Sequence, residues 1–291
     1  MSAIDALERV FGRPRAVSFG HEGAAVVVRL TGRGGEATVA LQGAQVLSWV
    51  NAQHGEMLWW SPLSPAGTGT PIRGGIPICW PWFGPHATDS SRPMHGVART
   101  TFFDVASTGT ANGCGFVVLA ARIGDARLKV RVEAGSELDV KFETQNDGSE
   151  PLAITEALHT YFAVEDVGRV AVHGLDECRY RDRTRDDAWT TQSGALVVRG
   201  ETNAHFDDTP DLLRISDPLR GHDIEIVRTG GRSTVVWNPG ASATKMTDVP
   251  SGEERRFLCV ESGNVGAAGV VVEPGRVHRL GVRYGVIAHG R

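Results

Sequence analysis

Regular alternation of apolar and polar residues limits the folds open to this chain more than any other feature of its sequence. The alternation is clearest over 128–132 and 138–142, where leucine, valine and phenylalanine take the apolar positions and Ala134-Gly135-Ser136 separates the two runs. Successive side chains of a strand point to opposite faces of a sheet, so each run predicts a half-buried strand. With the short intervening turn, the two runs predict a β-hairpin.

Comparable patterns occur along most of the chain. One predicts a hairpin over 222–238 that turns at 229–232, and another predicts a hairpin over 269–286 that turns at 273–276. Earlier strands are predicted at 24–30, 37–50 and 57–61. The chain therefore consists mainly of strands at regular spacing.

Helical patterns are scarce by comparison. The best lies at 4–11, where Ile4, Leu7 and Phe11 fall on one face. Glycine supplies 36 of the 291 residues, well above the usual share of roughly 7%, as expected for a chain with many tight turns. Strands without βαβ alternation predict an all-β fold, a large antiparallel β-sandwich with few short helices. No internal repeat or linker is visible, so we expect one domain over 1–291.

Charge and cysteine content exclude several classes of protein. A formal net charge of −4 gives no basic surface for nucleic acid. No apolar stretch approaches the roughly 18 residues of a membrane span, and 1–7 lacks the pattern of a secretory signal. The four cysteines are scattered without a CxxC pair. We therefore expect a cytoplasmic protein with reduced thiols and neither a nucleic-acid nor a membrane partner.

Two stretches depart from the strand pattern. Residues 71–85 contain four prolines, three glycines and two tryptophans, which prevent a regular ladder and favour a shaped loop. This loop is either a rigid wall of the core or a binding rim, in which Trp82 offers a flat face to a sugar ring and Arg73 offers charge. A turn at 94–99 either aims His95 and Arg99 at one space or leaves both in solvent.

Two predicted strands carry a polar residue where an apolar one is expected. Alternation places His159 on the same face as Ala157 and Tyr161, and Glu261 on the same face as Phe257. A lone buried carboxylate would cost several kcal/mol. Glu261 must therefore have a partner, be protonated or line a cavity for a polar ligand. His159 has the further alternative of a neutral, hydrogen-bonded structural role.

Five motifs in order reveal a family resemblance. The strings IRGGIPICWPWFGPH, HGVAR, EALHTYF, STVVWNP and LCVESGNV lie between residues 72 and 265. Together they resemble the hexose-6-phosphate mutarotases of the aldose 1-epimerase superfamily, over nearly the whole chain. The resemblance implies a galactose-mutarotase-like supersandwich, in agreement with the predicted strands. It also implies that His159 and Glu261 are the catalytic pair, that Arg73 and Arg99 lie near the phosphate, and that His95 binds a sugar hydroxyl.

The implied reaction explains the residue types. Mutarotation opens a cyclic hemiacetal and recloses it, so a base takes the proton of the anomeric hydroxyl while an acid protonates the ring oxygen. We expect Glu261 as base and His159 as acid. Partial burial would raise the pKa of Glu261, and the nearby carboxylate would keep His159 protonated. The reaction needs no metal or cofactor, and the chain shows no HExxH, P-loop or dinucleotide motif, so neither is expected.

Two local features qualify the resemblance. The family commonly has an aspartate in an E-V-D-x-x-[YF] string, whereas Asn203 takes its place here. An asparagine can still bind a sugar hydroxyl but adds no charge, so Asn203 is a candidate substrate-binding residue. The run 179–187 is rich in arginine and alternates in sign, which predicts a solvated surface without a function.

Other functions remain open at this point. A non-catalytic carbohydrate-binding protein could share the fold but would not need a facing acid and base. A mutarotase of unphosphorylated aldoses would not need Arg73 and Arg99 in the cavity. A glycoside hydrolase is disfavoured because it usually needs two carboxylates. We expect a monomer that binds a small hexose phosphate.

Overall fold

This computed structural model describes residues 2–289. Within that range there is one α-helix, and it lies at the N-terminal end. Helix α1 (Ala3–Phe11) starts at a capping box in which the backbone N–H of Asp5 donates to Ser2 Oγ and that of Ser2 donates to Asp5. Its apolar residues pack against the main core, so the helix predicted at 4–11 is confirmed. Five short 3₁₀ helices lie at Ala98–Thr100, Val167–Arg169, Gly240–Lys245, Glu253–Arg255 and Gly266–Ala268. Within residues 2–289, no helix has the length and apolar character needed to cross a membrane.

Strands make up most of the regular structure. In chain order they are β1 (Val17–Glu22), β2 (Ala25–Gly32), β3 (Gly35–Ala40), β4 (Val46–Asn51), β5 (Gly55–Glu56), β6 (Ile78–Cys79), β7 (Asp104–Ala111), β8 (Cys114–Ile123), β9 (Ala126–Ala134), β10 (Leu138–Asn146), β11 (Leu152–Ile154), β12 (Glu156–Leu158), β13 (Tyr161–Ala163), β14 (Ala171–His173), β15 (Arg179–Asp182), β16 (Ala188–Thr191), β17 (Leu196–Val197), β18 (Thr202–Phe206), β19 (Leu212–Asp217), β20 (His222–Thr229), β21 (Ser233–Asn238), β22 (Phe257–Asn264), β23 (Val270–Val272) and β24 (Val277–Ala288).

The named strands form two large antiparallel sheets and one small one. The first has 14 strands in the order β17-β14-β19-β20-β24-β10-β9-β8-β2-β3-β4-β5, with β1 beside β2 and β7 beside β8. The second has eight strands in the order β16-β15-β18-β21-β22-β12-β6, with β13 beside β22. Strands β11 and β23 pair separately. The prediction of a large antiparallel all-β sandwich is therefore confirmed.

The main core lies between the two large sheets. Val140 and Leu280 of the 14-stranded sheet belong to the same buried cluster as Leu158 and Val260 of the eight-stranded sheet. The alternate residues of the eight-stranded sheet point away from this core and form smaller buried clusters, one of which contains Tyr161. That second face is the one that carries the predicted His159.

The predicted hairpins have different outcomes. Strands β9 and β10 pair as predicted for 128–142, with Val132 opposite Val140. The other two predictions are wrong about the partners, although the strands and turns exist. Strand β20 pairs with β19 and β24 in the 14-stranded sheet, whereas β21 pairs with β18 and β22 in the eight-stranded sheet. Strand β23 pairs with β11, and β24 pairs with β10 and β20.

The connection at 229–232 crosses between the sheets instead of reversing within one. Gly230 has a φ of +72°, and a Cβ there would lie 1.9 Å from the carbonyl oxygen of Arg279, so only glycine fits this close approach. Arg228 is only 1% exposed and stabilises this connection by donating to the backbone oxygens of Ser233 and Thr209. Alternation predicts the strands on both sides, but it cannot predict to which sheet each belongs.

Two of the earlier strand predictions also need correction. The stretch 37–50 is two strands, β3 and β4, because Gly43 and Ala44 adopt positive φ in a turn between them. The stretch 57–61 contains only isolated bridges, at Leu58 and Trp60, since the chain there passes from the edge of one sheet to the other. The strand predicted at 24–30 is confirmed as β2.

Candidate active site

A cavity of about 250 Å³ opens on the face of the eight-stranded sheet that points away from the core. Its lining includes five of the residues predicted from the sequence, namely Arg73, His95, His159, Asn203 and Glu261. A larger cavity of about 540 Å³ lies beside Glu56 and Trp60 and contains none of the predicted residues. Size alone therefore does not identify the site, whereas the buried polar residues do.

Strand register brings His159 and Glu261 together. Leu158 of β12 lies opposite Ser262 of β22, and Tyr161 of β13 lies opposite Cys259, so His159 faces Glu261 between these pairs. His159 Nε2 is 3.4 Å from Glu261 Oε1, and the two side chains are only 10% and 1% exposed. The structure thus places both side chains on the same face of the sheet, as the alternation in each strand predicted.

The pair lies in an environment that disfavours charge. Burial raises the pKa of Glu261 well above its usual range. Burial lowers the pKa of His159 well below its usual range, and the positive charges of Arg73 and Arg99 lower it further. The expectation that a carboxylate would keep His159 protonated is therefore wrong. The physical reason is that burial itself disfavours the imidazolium, while Glu261 is also desolvated, favours its neutral form and so does not offset the nearby positive charges.

Both members of the pair keep unused hydrogen-bonding capacity. In the described part of the chain, neither His159 Nδ1 nor Glu261 Oε2 has a hydrogen-bond partner, although both atoms are buried. Buried polar atoms are nearly always paired in folded proteins, and exceptions are common at functional sites. The free oxygen of Glu261 is thus suited to a polar ligand in the cavity.

Arg73 reaches the cavity from the proline-rich loop and is held by two side chains. Its Nε donates to Asp248 Oδ2 over 2.9 Å, and its Nη1 donates to the hydroxyl of Tyr161 over 3.0 Å. The ring of Tyr161 stacks on that of His159, with centroids 4.9 Å apart and planes 9° apart. One tyrosine therefore contacts both the candidate anion-binding arginine and the candidate acid.

His95 projects into the cavity from a tight turn. His95 and Gly96 both have positive φ, and a Cβ on Gly96 would lie 2.0 Å from the backbone oxygen of Trp80. His95 Nδ1 accepts from the backbone N–H of Gly84 over 3.2 Å, which leaves Nε2 for a ligand. Burial, followed by the charges of Arg99 and Arg73, lowers the pKa of His95 to about 3, so the ring is neutral at physiological pH.

The opposite wall of the cavity contains the predicted Asn203 together with two residues that were not predicted to be part of the site, His205 and Arg183. Asn203 Oδ1 lies 2.9 Å from His205 Nε2, and burial lowers the pKa of His205 to about 4. Arg183 also lines the cavity. It belongs to the run 179–187 that was predicted to be a solvated surface. Most of that run, Arg183 included, is exposed as predicted. Arg183 also borders the cavity, where its backbone N–H donates to the carbonyl oxygen of Asn203 and its Nη1 donates to Asp187 Oδ2.

Two predicted substrate-binding residues lie outside the lining. Arg99 Nη2 donates to the backbone oxygen of Met94, and its guanidinium is near enough to Arg73 for that charge to help burial lower the pKa of Arg99. Trp82 Nε1 donates to the backbone oxygen of Pro93 over 3.0 Å, and its ring packs edge-on against His86. The aromatic lining is supplied instead by Phe83 and Trp237.

One of the unpredicted residues near the site could have been found from the sequence, and another could not. Trp237 lies in the STVVWNP motif, and alternation places it on the same face as Val235. Asp248 gave no signal, because its contact with Arg73 joins residues 175 positions apart. Among residues 2–289, no group of three or more histidine, cysteine, aspartate or glutamate side chains is placed to hold a metal ion.

Comparison with known sequences identifies related proteins. The family described as "Aldose 1-epimerase" matches residues 26–285. A Salmonella typhimurium protein named "Putative glucose-6-phosphate 1-epimerase" is 31% identical over 245 residues, 78% of this chain and 79% of the relative. An Escherichia coli K12 protein with the same name is 32% identical over 238 residues, with the same two shares.

Comparison with solved structures agrees. The crystal structure of a Salmonella typhimurium protein described as a "putative mutarotase" superposes with a TM-score of 0.89 at 26% identity, covering 99% of this chain and 100% of that one. A Synechocystis protein matches at 18% identity with a TM-score of 0.74, covering 95% and 97%, and supports the fold alone. The shared architecture thus extends over nearly the full chain.

Proposed function

The chain belongs to the aldose 1-epimerase family, and from this premise we propose that it is a mutarotase acting on a hexose 6-phosphate. The family and the relatives make it an isomerase, as the sequence predicted. The observation that carries the reaction is the approach of His159 Nε2 to Glu261 Oε1, 3.4 Å apart in the cavity. Phosphate recognition is supported by Arg73 in the lining and by the names of the two enterobacterial relatives.

The proposed reaction needs two coordinated proton transfers. Glu261 takes the proton of the anomeric hydroxyl while His159 gives a proton to the ring oxygen. The bond from C1 to the ring oxygen breaks, and C1 becomes the carbonyl carbon of the open-chain aldehyde. After rotation about the C1–C2 bond, the reverse transfers close the ring on the other face of the carbonyl. No proton is gained or lost overall, because the pair holds one proton throughout.

The electrostatics of the pair fit this cycle. Ring opening starts from unprotonated Glu261 and protonated His159, and it ends with both groups neutral. Burial raises the pKa of Glu261 and lowers the pKa of His159, so it favours the neutral form of each group. The protein environment therefore favours the state of the pair that accompanies the open-chain aldehyde, the higher-energy form of the sugar.

The alternatives are weighed by the same geometry. A non-catalytic sugar-binding protein gains nothing from a desolvated acid and base that converge in one cavity, so the pair favours an enzyme. For a mutarotase of unphosphorylated aldoses, the discriminating feature was whether Arg73 and Arg99 both reach the cavity. Of these two only Arg73 lines it, and Arg183 also borders it, although its Nη1 donates to Asp187. The cytoplasmic location and the monomeric state stay predictions.

The test is anomer exchange of glucose 6-phosphate, measured by two-dimensional exchange NMR. We expect the wild-type protein to accelerate the exchange, and His159→Ala and Glu261→Gln each to lower the rate by about 100-fold or more, as is typical for loss of an acid or base. Wild-type protein without effect on any hexose phosphate or free aldose would contradict the proposal.

Glu156→Gln is a matched control for Glu261→Gln. Glu156 is also fully buried and accepts from a histidine, His278 Nε2, over 2.6 Å. It lies on the neighbouring strand β12 but does not line the cavity. We expect this variant to keep the wild-type exchange rate, so a loss confined to Glu261→Gln would separate acid–base chemistry from the general effect of removing a buried carboxylate.

A further inference from the structure

Tyr161 joins two parts of the site that the reaction uses separately. Its side chain is almost fully buried, its hydroxyl accepts from Arg73 Nη1 over 3.0 Å, and its ring lies parallel to that of His159 with centroids 4.9 Å apart. Trp59 also stacks on the tyrosine ring, with centroids 5.9 Å apart, and the ring of Phe257 lies 5.3 Å away. The tyrosine thus has little freedom to move independently of either neighbour.

Asp248 fixes the remaining side of the arginine. Asp248 Oδ2 accepts from Arg73 Nε over 2.9 Å, so the guanidinium is held at two of its three nitrogens. Among residues 2–289, Arg73 Nη2 has no hydrogen-bond partner, and Arg73 lines the cavity. A guanidinium held in this way presents its remaining donors to an oxyanion without first losing side-chain freedom.

The charge of Arg73 also acts on His159. The groups that face the histidine are Glu261, His95, Arg73 and Arg99, and both arginines oppose protonation of the ring. An anion bound at Arg73 would offset this repulsion and make the ionised pair, from which ring opening starts, more accessible. Anion binding and proton transfer are therefore linked through a short path of contacts.

We propose that Tyr161 and Asp248 are positioning residues that couple Arg73 to His159, so that the phosphate of the substrate accelerates proton transfer in addition to strengthening binding. This inference rests on the proposed function, since it takes a hexose 6-phosphate as the substrate. It predicts that the phosphate contributes to kcat, because interactions at a remote group can be used to organise the reacting centre.

The first test separates the phosphate from the sugar. Xylose has the ring of glucose without its sixth carbon, and the phosphite dianion supplies a separate oxyanion for Arg73. We expect saturating phosphite to accelerate enzyme-catalysed anomer exchange of xylose by about tenfold or more, as for other remote binding groups that support catalysis. Rapid exchange of glucose 6-phosphate with no effect of phosphite on xylose would overturn the coupling and leave the proposed function standing. No acceleration of exchange for any hexose 6-phosphate would remove both.

The second test removes the contact itself. Tyr161→Phe keeps the stacked ring but deletes the hydroxyl that binds Arg73. We expect kcat for glucose 6-phosphate to fall about tenfold, the size expected for one hydrogen bond to a charged group. Activation of xylose exchange by phosphite should be lost. Asp248→Asn should also lower the activation of xylose exchange by phosphite.

Tyr284→Phe is the matched control. Tyr284 is also fully buried, and its hydroxyl lies 2.6 Å from Thr160 Oγ1, in the core between the sheets. It should leave kcat and activation by phosphite at wild-type values. If Tyr161→Phe raised KM for glucose 6-phosphate without lowering kcat, Arg73 would serve binding alone and the proposed coupling would be wrong.

Discussion

Replacing Arg228 with methionine should destabilise the protein, although the change removes a buried charge. The guanidinium of Arg228 donates to the backbone oxygens of Ser233, Thr209 and Pro210 and to the hydroxyl of Thr234. Methionine occupies much of the same volume but donates nothing. The hydroxyl of Thr234 keeps a second partner in Thr209 Oγ1, whereas three carbonyl oxygens lose this donor. At roughly 1.5 kcal/mol for each carbonyl, the loss is about 4.5 kcal/mol.

A gain of opposite sign reduces this figure. Burial lowers the pKa of Arg228, which reflects the cost of keeping the cation out of water, and methionine removes that cost. If the relief is about 1.5 kcal/mol, the free energy of unfolding falls by about 3 kcal/mol. Urea unfolding followed by tryptophan fluorescence would measure this loss as a lower midpoint with an unchanged slope.

Arg232→Met provides the comparison on the same connection between sheets. Arg232 pairs with Asp208 at the surface, where their side chains are 64% and 69% exposed. Such pairs contribute little, so we expect the free energy of unfolding to change by no more than about 0.5 kcal/mol. Equal midpoints for Arg228→Met and Arg232→Met would refute the reasoning, because the buried cation would then cost as much as its hydrogen bonds contribute.

Two further outcomes are expected at the cavity. Burial raises the pKa of Glu261, so the folded protein retains a proton that the unfolded chain releases above its ordinary pKa of 4.5. Stability from this group is therefore lost as pH rises, and Glu261→Gln should become more stable relative to wild type by up to about 1.4 kcal/mol per pH unit above about pH 5. Thermal unfolding across that range checks this, and a constant difference would contradict it. Asn203→Asp should raise the pKa of His205 from about 4 by at least about one unit, because a carboxylate favours the imidazolium. An NMR titration of the His205 ring that matched wild type would rule this out.

Alternation in the sequence predicted the face that carries His159 and Glu261, because the face of a residue is a property of its own strand. It placed His159 with Tyr161, and the two rings do stack. It placed Glu261 with Phe257 on a strand whose residues are all buried, which explains why a polar residue there was conspicuous. Each of these inferences needs only the two-residue period of one strand and the cost of burying charge.

What could not be predicted depends on partners distant in the chain. The connection after β20 resembles a hairpin turn locally, yet the next strand, β21, joins the other sheet. Strand β20 pairs with β19 and β24, whereas β21 pairs with β18 and β22, and these partners are distant in the sequence. Arg183 is exposed, as the charges of its neighbours in sequence predict, and nothing in the sequence links it to the cavity. It reaches the cavity only because β15 pairs with β18, the strand that carries Asn203.

The two walls of the cavity differ in how freely they can change during evolution. Glu261 lies on β22, which is buried along its whole length, so substitutions near it disturb the interior and are heavily constrained. Arg183 follows β15 and precedes β16, the outermost strand of its sheet, whose four residues are all exposed. Substitutions and insertions there leave the interior intact. The protein can thus acquire a new ligand preference on one wall while inheriting its proton-transfer chemistry unchanged on the other.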